Sequence, residues 1–181
     1  MKADDFPLRA AFLALPLENG ATLAFQELQK RLSEYDTILS FQNPHSPHLT
    51  LQYWKELMEI EYHQIVRQAE KVASSTQPFD LKVCGTDTFG TRGEDRVLIL
   101  SVPFSEPLAR LKKRCPWPSA LAFSPHITLA RIGHPQRFRI AKKKITKILS
   151  DAEFVINVDR LRLYAEIEER KQTPLGDFVF V

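Results

Sequence analysis

Two short stretches of this chain follow one pattern. Ser46-Pro47-His48-Leu49-Thr50-Leu51 and Ser124-Pro125-His126-Ile127-Thr128-Leu129 both run Ser-Pro-His-apolar-Thr-Leu, with their histidines 78 residues apart. In an extended strand, successive side chains point to opposite faces. Each stretch therefore reads as a β-strand with a polar face, His48, Thr50 and Gln52 or His126 and Thr128, and an apolar face, Leu49, Leu51 and Tyr53 or Ile127 and Leu129. The apolar face can sit on a core. The polar face is left to handle protons and hydrogen bonds. A single His-x-Thr arises by chance in roughly a quarter of chains with 5 histidines and 10 threonines, but two with apolar neighbours arise on the order of once in a thousand. The repeat points to one site assembled from two halves.

The rest of the chain repeats at the same scale. Arg9 to Leu17 is an apolar stretch ending at a proline, a buried first strand. Ala21, Ala24, Phe25, Leu28, Leu32 and Tyr35 then recur at the helical period. Thr37 to Phe41 is a short strand, and Asn43 to Pro47 breaks regular structure before the first His strand. Met58, Tyr62, Ile65, Ala69 and Val72 give a second amphipathic helix, and Phe79, Leu81 and Val83 an alternating strand. Gly85 to Asp95 reads as a loop, Arg96 to Val102 as an apolar strand, and Leu108, Leu111 and Cys115 as a short helix before a Pro-rich loop and the second His strand. Phe138 to Leu149 is helical, and strands are expected near Phe154 to Val158, Leu161 to Ile167 and Phe178 to Val181. The order strand, helix, loop, His strand occurs from Arg9 to Tyr53 and again from Arg96 to Arg131. The expected fold class is α+β. It is one domain over residues 1–181, built of two intertwined, pseudo-symmetric lobes with antiparallel-type sheets facing a central cleft and helices outside.

Composition narrows the class. With 44% apolar and 26% charged residues over 181 positions, the chain is an ordinary globular protein long enough for a core. It has no run of 18 apolar residues and no basic-then-apolar leader, so neither a membrane span nor secretion is expected. Cys84 and Cys115 are isolated and form neither a metal motif nor a disulfide framework, which makes a reducing cytoplasm the expected location. A net charge of +3 does not by itself imply a nucleic-acid partner.

Two imidazoles flanking a phosphodiester can divide acid and base work, because an ordinary pKa near 6.5 lets histidine serve either role near neutrality. Thr50 and Thr128, two residues along each strand, can donate to non-bridging phosphate oxygens. Such chemistry needs no metal and no cofactor.

This pattern resembles the 2H phosphoesterase superfamily, named for its two His-x-Thr motifs. Within it, the chain is most similar to the 2'-5' RNA ligase branch, whose members are also called RNA 2',3'-cyclic phosphodiesterases. The similarity rests on Arg9 to Pro16, Phe79 to Gly90 with Arg96-Val97-Leu98, His126 to Arg131 and Val158 to Tyr164. It implies a bilobal fold, hydrolysis of an RNA 2',3'-cyclic phosphate to a 2'-phosphate, and ATP-independent 2'-5' joining by the reverse type of reaction. By match of motif, His48 and His126 are the acid and base, Thr50 and Thr128 hold the phosphate, and Arg131 matches an arginine lying near it. Strand parity places Arg131 opposite His126, so that role requires the strand to end or twist. The implied partner is RNA, tRNA fragments included, or a nucleotide with a 2',3'-cyclic phosphate, bound by a monomer. After the first motif, Trp54-Lys55-Glu56 stands where the branch has an apolar residue, a glycine and an acid.

Other readings stay open at this level. One His-Thr strand alone can be a cross-strand hydrogen-bonded pair. His45 and His48 with His126 or His134 lack the partnering Cys or carboxylate of a zinc site; His45 and His134 read as loop residues at the cleft rim and His63 as part of a helix. The basic run Arg131, Arg137, Arg139, Lys142, Lys143, Lys144 and Lys147, and the cluster Arg110, Lys112, Lys113 and Arg114, are either solvated helix faces or a track for RNA phosphates. Phe12, Phe41, Tyr53, Phe89 and Trp117 are available for stacking on bases, although parity sends Tyr53 to the core. The alternative functions are a phosphodiesterase for small cyclic nucleotides or 2'-5' oligoadenylates, and a non-catalytic nucleotide- or RNA-binding module.

Overall fold

A computed structural model describes residues 5–118 and 122–181. Among the described residues, ten strands and four α-helices follow in the order β1 (Leu8–Pro16), α1 (Asn19–Arg31), β2 (Leu39–Phe41), β3 (His48–Leu57), α2 (Glu59–Ala73), β4 (Phe79–Cys84), β5 (Thr86–Thr91), β6 (Glu94–Ser101), α3 (Glu106–Arg114), β7 (His126–Ile132), α4 (Pro135–Ile148), β8 (Glu153–Val158), β9 (Arg160–Ile167) and β10 (Arg170–Val179). The fold is α+β with antiparallel pairing throughout. Among the described residues, no helix is long and apolar enough to cross a membrane.

The main sheet has the strand order β10-β9-β1-β3-β7-β6-β5, with β2 on the edge of β7; β4 and β8 form a separate two-stranded sheet. The two His strands, β3 and β7, are thus neighbours at the centre. The half-sheets meet along them through one antiparallel pair, Leu49 with Ile127. Leu49, Leu51, Ile127 and Leu129 lie in the buried core together with Phe25, Phe138 and Ile145 from the helices. The apolar faces read from the sequence do face the core.

The helices cross between the halves. The Arg31 guanidinium of α1 donates to the Ile148 carbonyl and, at 2.6 Å, to Asp151 after α4. From the other half, Arg114 of α3 donates to Thr76 Oγ1, and Trp117 just beyond it donates to Gln68 of α2 at 2.7 Å while its ring meets Trp54 edge-on. Each half of the sheet is therefore covered in part by a helix that follows a strand of the other half.

Three elements differ from the sequence reading. The last strand, expected near Phe178 to Val181, runs from Arg170 to Val179. Gly85 to Asp95 contains strand β5, a hairpin with β6. Its turn is Arg92-Gly93, both at positive φ (55° and 78°), the backbone that joins two twisted strands tightly. At Gly90 a Cβ would fall 1.8 Å from the Glu94 carbonyl oxygen, so the hairpin needs a glycine there. The first helix ends at Arg31 rather than running on to Tyr35, which belongs to a separate 3-10 turn, Ser33–Tyr35.

Candidate active site

Cross-strand partners share a face of the sheet, so the registers map the surface around the histidines. Around β3, Pro16 pairs with His48, Ala14 with Thr50 and Phe12 with Tyr53. On β9, Arg162 pairs with Ala14 and Tyr164 with Phe12. Around β7, Ser101 pairs with His126, Ile99 with Thr128 and Val97 with Arg131. Continuing the Leu49–Ile127 register by one residue each way sets His48 opposite Thr128 and Thr50 opposite His126. The four motif side chains form one patch at the junction of the halves, each half-buried.

Both imidazoles are tied in the same way. Nδ1 of His48 lies 2.8 Å from the Ser46 carbonyl, and Nδ1 of His126 lies 2.7 Å from the Ser124 carbonyl. A carbonyl can only accept, so Nδ1 carries the hydrogen in both rings and Nε2 holds the lone pair. The Ser-Pro that precedes each histidine supplies this anchor, since the serine carbonyl sits two residues back. Ser46 is held in turn by a 2.7 Å hydrogen bond from its hydroxyl to Gln172 Oε1.

The surroundings of the two rings differ. His48 stacks on Phe12, with ring centroids 4.6 Å apart, and Phe12 stacks on Tyr164 at 4.8 Å. Burial holds the His48 pKa below the ordinary imidazole value; its bond to the Ser46 carbonyl works the other way, and the nearby charge of His126 adds to the depression. His126 is met edge-on by Phe89 of the β5–β6 hairpin, with centroids 4.7 Å apart.

Both His strands carry a bulge at the same place. Along β3 the pairing with β1 skips Leu51, because Ala14 pairs with Thr50 and Leu13 with Gln52. Along β7 the pairing with β6 skips Leu129, because Ile99 pairs with Thr128 and Leu98 with Ala130. Each skipped residue is the third after its histidine. An extra residue reverses the parity of everything beyond it. This corrects three expectations. Gln52, expected on the face of His48 and Thr50, pairs with buried Leu13 and donates to the Pro118 carbonyl at 3.0 Å. Arg131 is exposed while Ala130 and Ile132 are buried, so it emerges on the side of His126 and Thr128. Tyr53, expected in the core, is 55% exposed and pairs with Phe12 on the His48 side, whereas Trp54 packs inward on Trp117.

Sequence reasoning missed the floor beneath His48. Phe12, Ala14 and Tyr164 form a small apolar cluster apart from the main core. Beside it, Arg162 pairs with Asp177 at 2.5 Å and Glu18 at 2.8 Å. The alternation in Leu161, Leu163 and Ala165 marked β9, and its even-numbered residues were the available signal. The basic run on α4 lies elsewhere. Phe138 and Ile145 bury that helix with Leu98 and Leu100, and Lys142 is held by Asp95 at 2.9 Å and by Thr88. Thr88 pairs with core-facing Leu98, whereas Phe89, next along, touches His126. The helix thus covers the sheet face away from the histidines. His45 and His134 are exposed loop residues, and His63 is on α2. Among the described residues, no three His, Cys, Asp or Glu side chains converge as metal ligands.

The family described as the 2'-5' RNA ligase superfamily matches residues 16–169. The chain belongs to the 2'-5' RNA ligase superfamily. Two relatives of this family member carry the name RNA 2',3'-cyclic phosphodiesterase. The one from Methanothermobacter thermautotrophicus is 22% identical over 174 residues, covering 92% of each chain. The one from Bacillus subtilis is 28% identical over 131 residues, 66% of this chain and 69% of the other. A crystal structure from Thermus thermophilus shares the superfamily fold, with a TM-score of 0.74 at 23% identity over 94% of this chain and 97% of that one.

Proposed function

We propose that this protein is an enzyme, an RNA 2',3'-cyclic phosphodiesterase that works by two-histidine acid-base catalysis without a metal or cofactor. The observation that carries the reading is the pairing of two His-x-Thr strands through Leu49 and Ile127, with both imidazoles held in the same tautomer by a carbonyl two residues back. The two relatives named RNA 2',3'-cyclic phosphodiesterase support the same substrate class.

The cyclic phosphate binds over the junction of the halves. The Thr50 and Thr128 hydroxyls and the Arg131 guanidinium bind its non-bridging oxygens, where negative charge gathers as phosphorus becomes five-coordinate. A neutral imidazole takes a proton from water at Nε2 as the water oxygen attacks phosphorus. The protonated imidazole gives its Nε2 proton to O3' as the P–O3' bond breaks, leaving a 2'-phosphate. The hydrogen bond from Nδ1–H to a carbonyl steadies each ring in either charge state. Attack by a 5'-hydroxyl in place of water uses the same groups and gives 2'-5' ligation without ATP. Tyr53, five residues after His48 as Arg131 is after His126, offers an aromatic face to the base of a flanking nucleotide. The two free cysteines suit a cytoplasmic setting.

The test is incubation of the protein with a short RNA ending in a 2',3'-cyclic phosphate, in excess EDTA, with the phosphate position of the product read by 31P NMR. A 2'-phosphate is expected. Failure to open the ring, or activity only when metal is restored, refutes the reading. A second reading, a phosphodiesterase for small nucleotides, is favoured by one observation: α4 places its basic run on the sheet face away from the histidines. A mononucleoside 2',3'-cyclic phosphate turned over as well as the RNA would select it.

A further inference from the structure

The two bulges are held from opposite halves. The carbonyl of Leu51, the extra residue of β3, accepts a 2.9 Å hydrogen bond from Lys112 Nζ of α3. The carbonyl of Leu129, the extra residue of β7, accepts from Gln29 Nε2 of α1 at 3.1 Å and from the Gln42 backbone N–H at 3.1 Å. Gln29 is 8% exposed, and its amide also donates to the Gln42 carbonyl at 2.8 Å, so one buried side chain joins the bulge to the segment after β2. Lys112 lies over the Phe123 ring, 5.1 Å from its centre. Its ammonium is directed at a main-chain carbonyl, and no ion pair places a carboxylate on it among the described residues.

The correspondence is close. The two donors come from α1 and α3, the helices that each precede a His strand in the chain. Each reaches the His strand of the other half. Each binds the carbonyl of the residue at which parity reverses, and two residues beyond lies the side chain that the reversal turns toward the cleft, Tyr53 or Arg131. A bulge held by its ladder bonds alone can slide by a residue, and a one-residue slide would turn Arg131 or Tyr53 away from the cleft.

We propose that Gln29 and Lys112 are positioning residues: each pins the bulge of the opposite half's His strand and thereby fixes Arg131 or Tyr53 toward the substrate. The inference rests on the cleft being the substrate site.

The test is a pair of double-mutant cycles. Gln29→Met removes the donor at similar volume. It is expected to lower kcat/KM about tenfold in the wild-type background, as a guanidinium held in the wrong place binds phosphate poorly. In the Arg131→Ala background the same substitution is expected to change kcat/KM by less than about twofold, because no guanidinium remains to be misplaced. Lys112→Met is paired with Tyr53→Ala in the same way, and Lys112→Arg, which keeps a donor, restores activity. A full loss repeated in the Arg131→Ala or Tyr53→Ala background overturns the proposal, since the anchor would then act on the fold or on the histidines. Wild-type kinetics in Gln29→Met and Lys112→Met also overturn it. If Gln29→Met does not fold, as judged by its thermal melt, the half-exposed Lys112 arm decides. The Gln29 cycle is also read as affinity for inorganic phosphate by calorimetry. Wild-type protein that binds phosphate but opens no cyclic phosphate refutes the phosphodiesterase and leaves the cycle on phosphate affinity to judge the anchors. Wild-type protein that does neither overturns both.

Discussion

The two halves share a backbone plan and differ in what they set upon it. Both have a strand, a crossing helix, a Ser-Pro-His-apolar-Thr strand, a carbonyl on Nδ1 and a bulge at the third residue after histidine. Beyond the bulge the first half shows a row of three aromatic residues, Tyr53, Phe12 and Tyr164, and the second shows Arg131, Val97 and Phe89. One histidine stacks on its neighbouring ring and the other meets its neighbour nearly at a right angle, 85° between planes. Under the proposed function, the shared features serve what a cyclic phosphate demands from both sides at once, and the features that differ suit the base and the charge of the rest of the proposed ligand.

The largest effect should come where the halves are alike. His48→Ala and His126→Ala should each cut turnover on the order of 10³-fold or more, with unchanged thermal melts. If one of the two kept near wild-type activity, a single histidine would suffice and the symmetry would be incidental. Thr50→Ala and Thr128→Ala should each cost less, about tenfold, as one donor among several.

The next effect separates the halves. Arg131→Ala should lower kcat/KM about 10²-fold on every cyclic phosphate tested, since its proposed partner is the phosphate. Tyr53→Ala should raise KM about tenfold on a cyclic-phosphate dinucleotide and leave the smallest nucleoside substrate within about twofold, as expected for lost base stacking. Equal losses on both substrates would assign Tyr53 to the phosphate or to the fold.

A smaller effect concerns the two rings. Phe12→Ala should let water reach His48 and raise its pKa toward the ordinary value of about 6.5, as followed by NMR titration. A depressed pKa means that the unfolded chain binds more protons than the folded one below that value. Wild-type stability should therefore fall as pH drops through about 6.5 toward the folded pKa of His48, and this loss should shrink in Phe12→Ala. A titration unmoved by Phe12→Ala would locate the cause elsewhere. The smallest effect, less than about twofold in kcat/KM, is expected from Lys143→Glu with Lys144→Glu, because α4 lies behind the sheet. A larger loss on RNA than on a mononucleotide would bring that helix face into the binding path.

Much of this was legible in the chain because period-2 and period-3.6 patterns report which side of an element is buried. Leu49 and Leu51 against His48 and Thr50 sufficed to orient β3. Three things were not legible. Strand β5, Thr86–Thr91, was read as part of a loop because it is half-exposed on both faces and lacks clean alternation. Tyr53 was sent to the core because parity was carried through a bulge, and a bulge has no side-chain signature when its extra residue is a leucine like any other. The pairing of β3 with β7 depends on contacts across 78 residues, which no local pattern encodes. The motifs pointed to a candidate site, and the pairing of their strands brings the four side chains into one patch.

The crossing of the helices has a consequence for biosynthesis. The main-chain oxygen that Gln29 binds belongs to a residue 100 positions later. As the chain leaves the ribosome, α1 must wait with its apolar side uncovered until β7 has been made, and β3 waits likewise for Lys112 to emerge. Neither repeat can finish folding before the other exists, so a gene split between them would yield two fragments that need each other from the start.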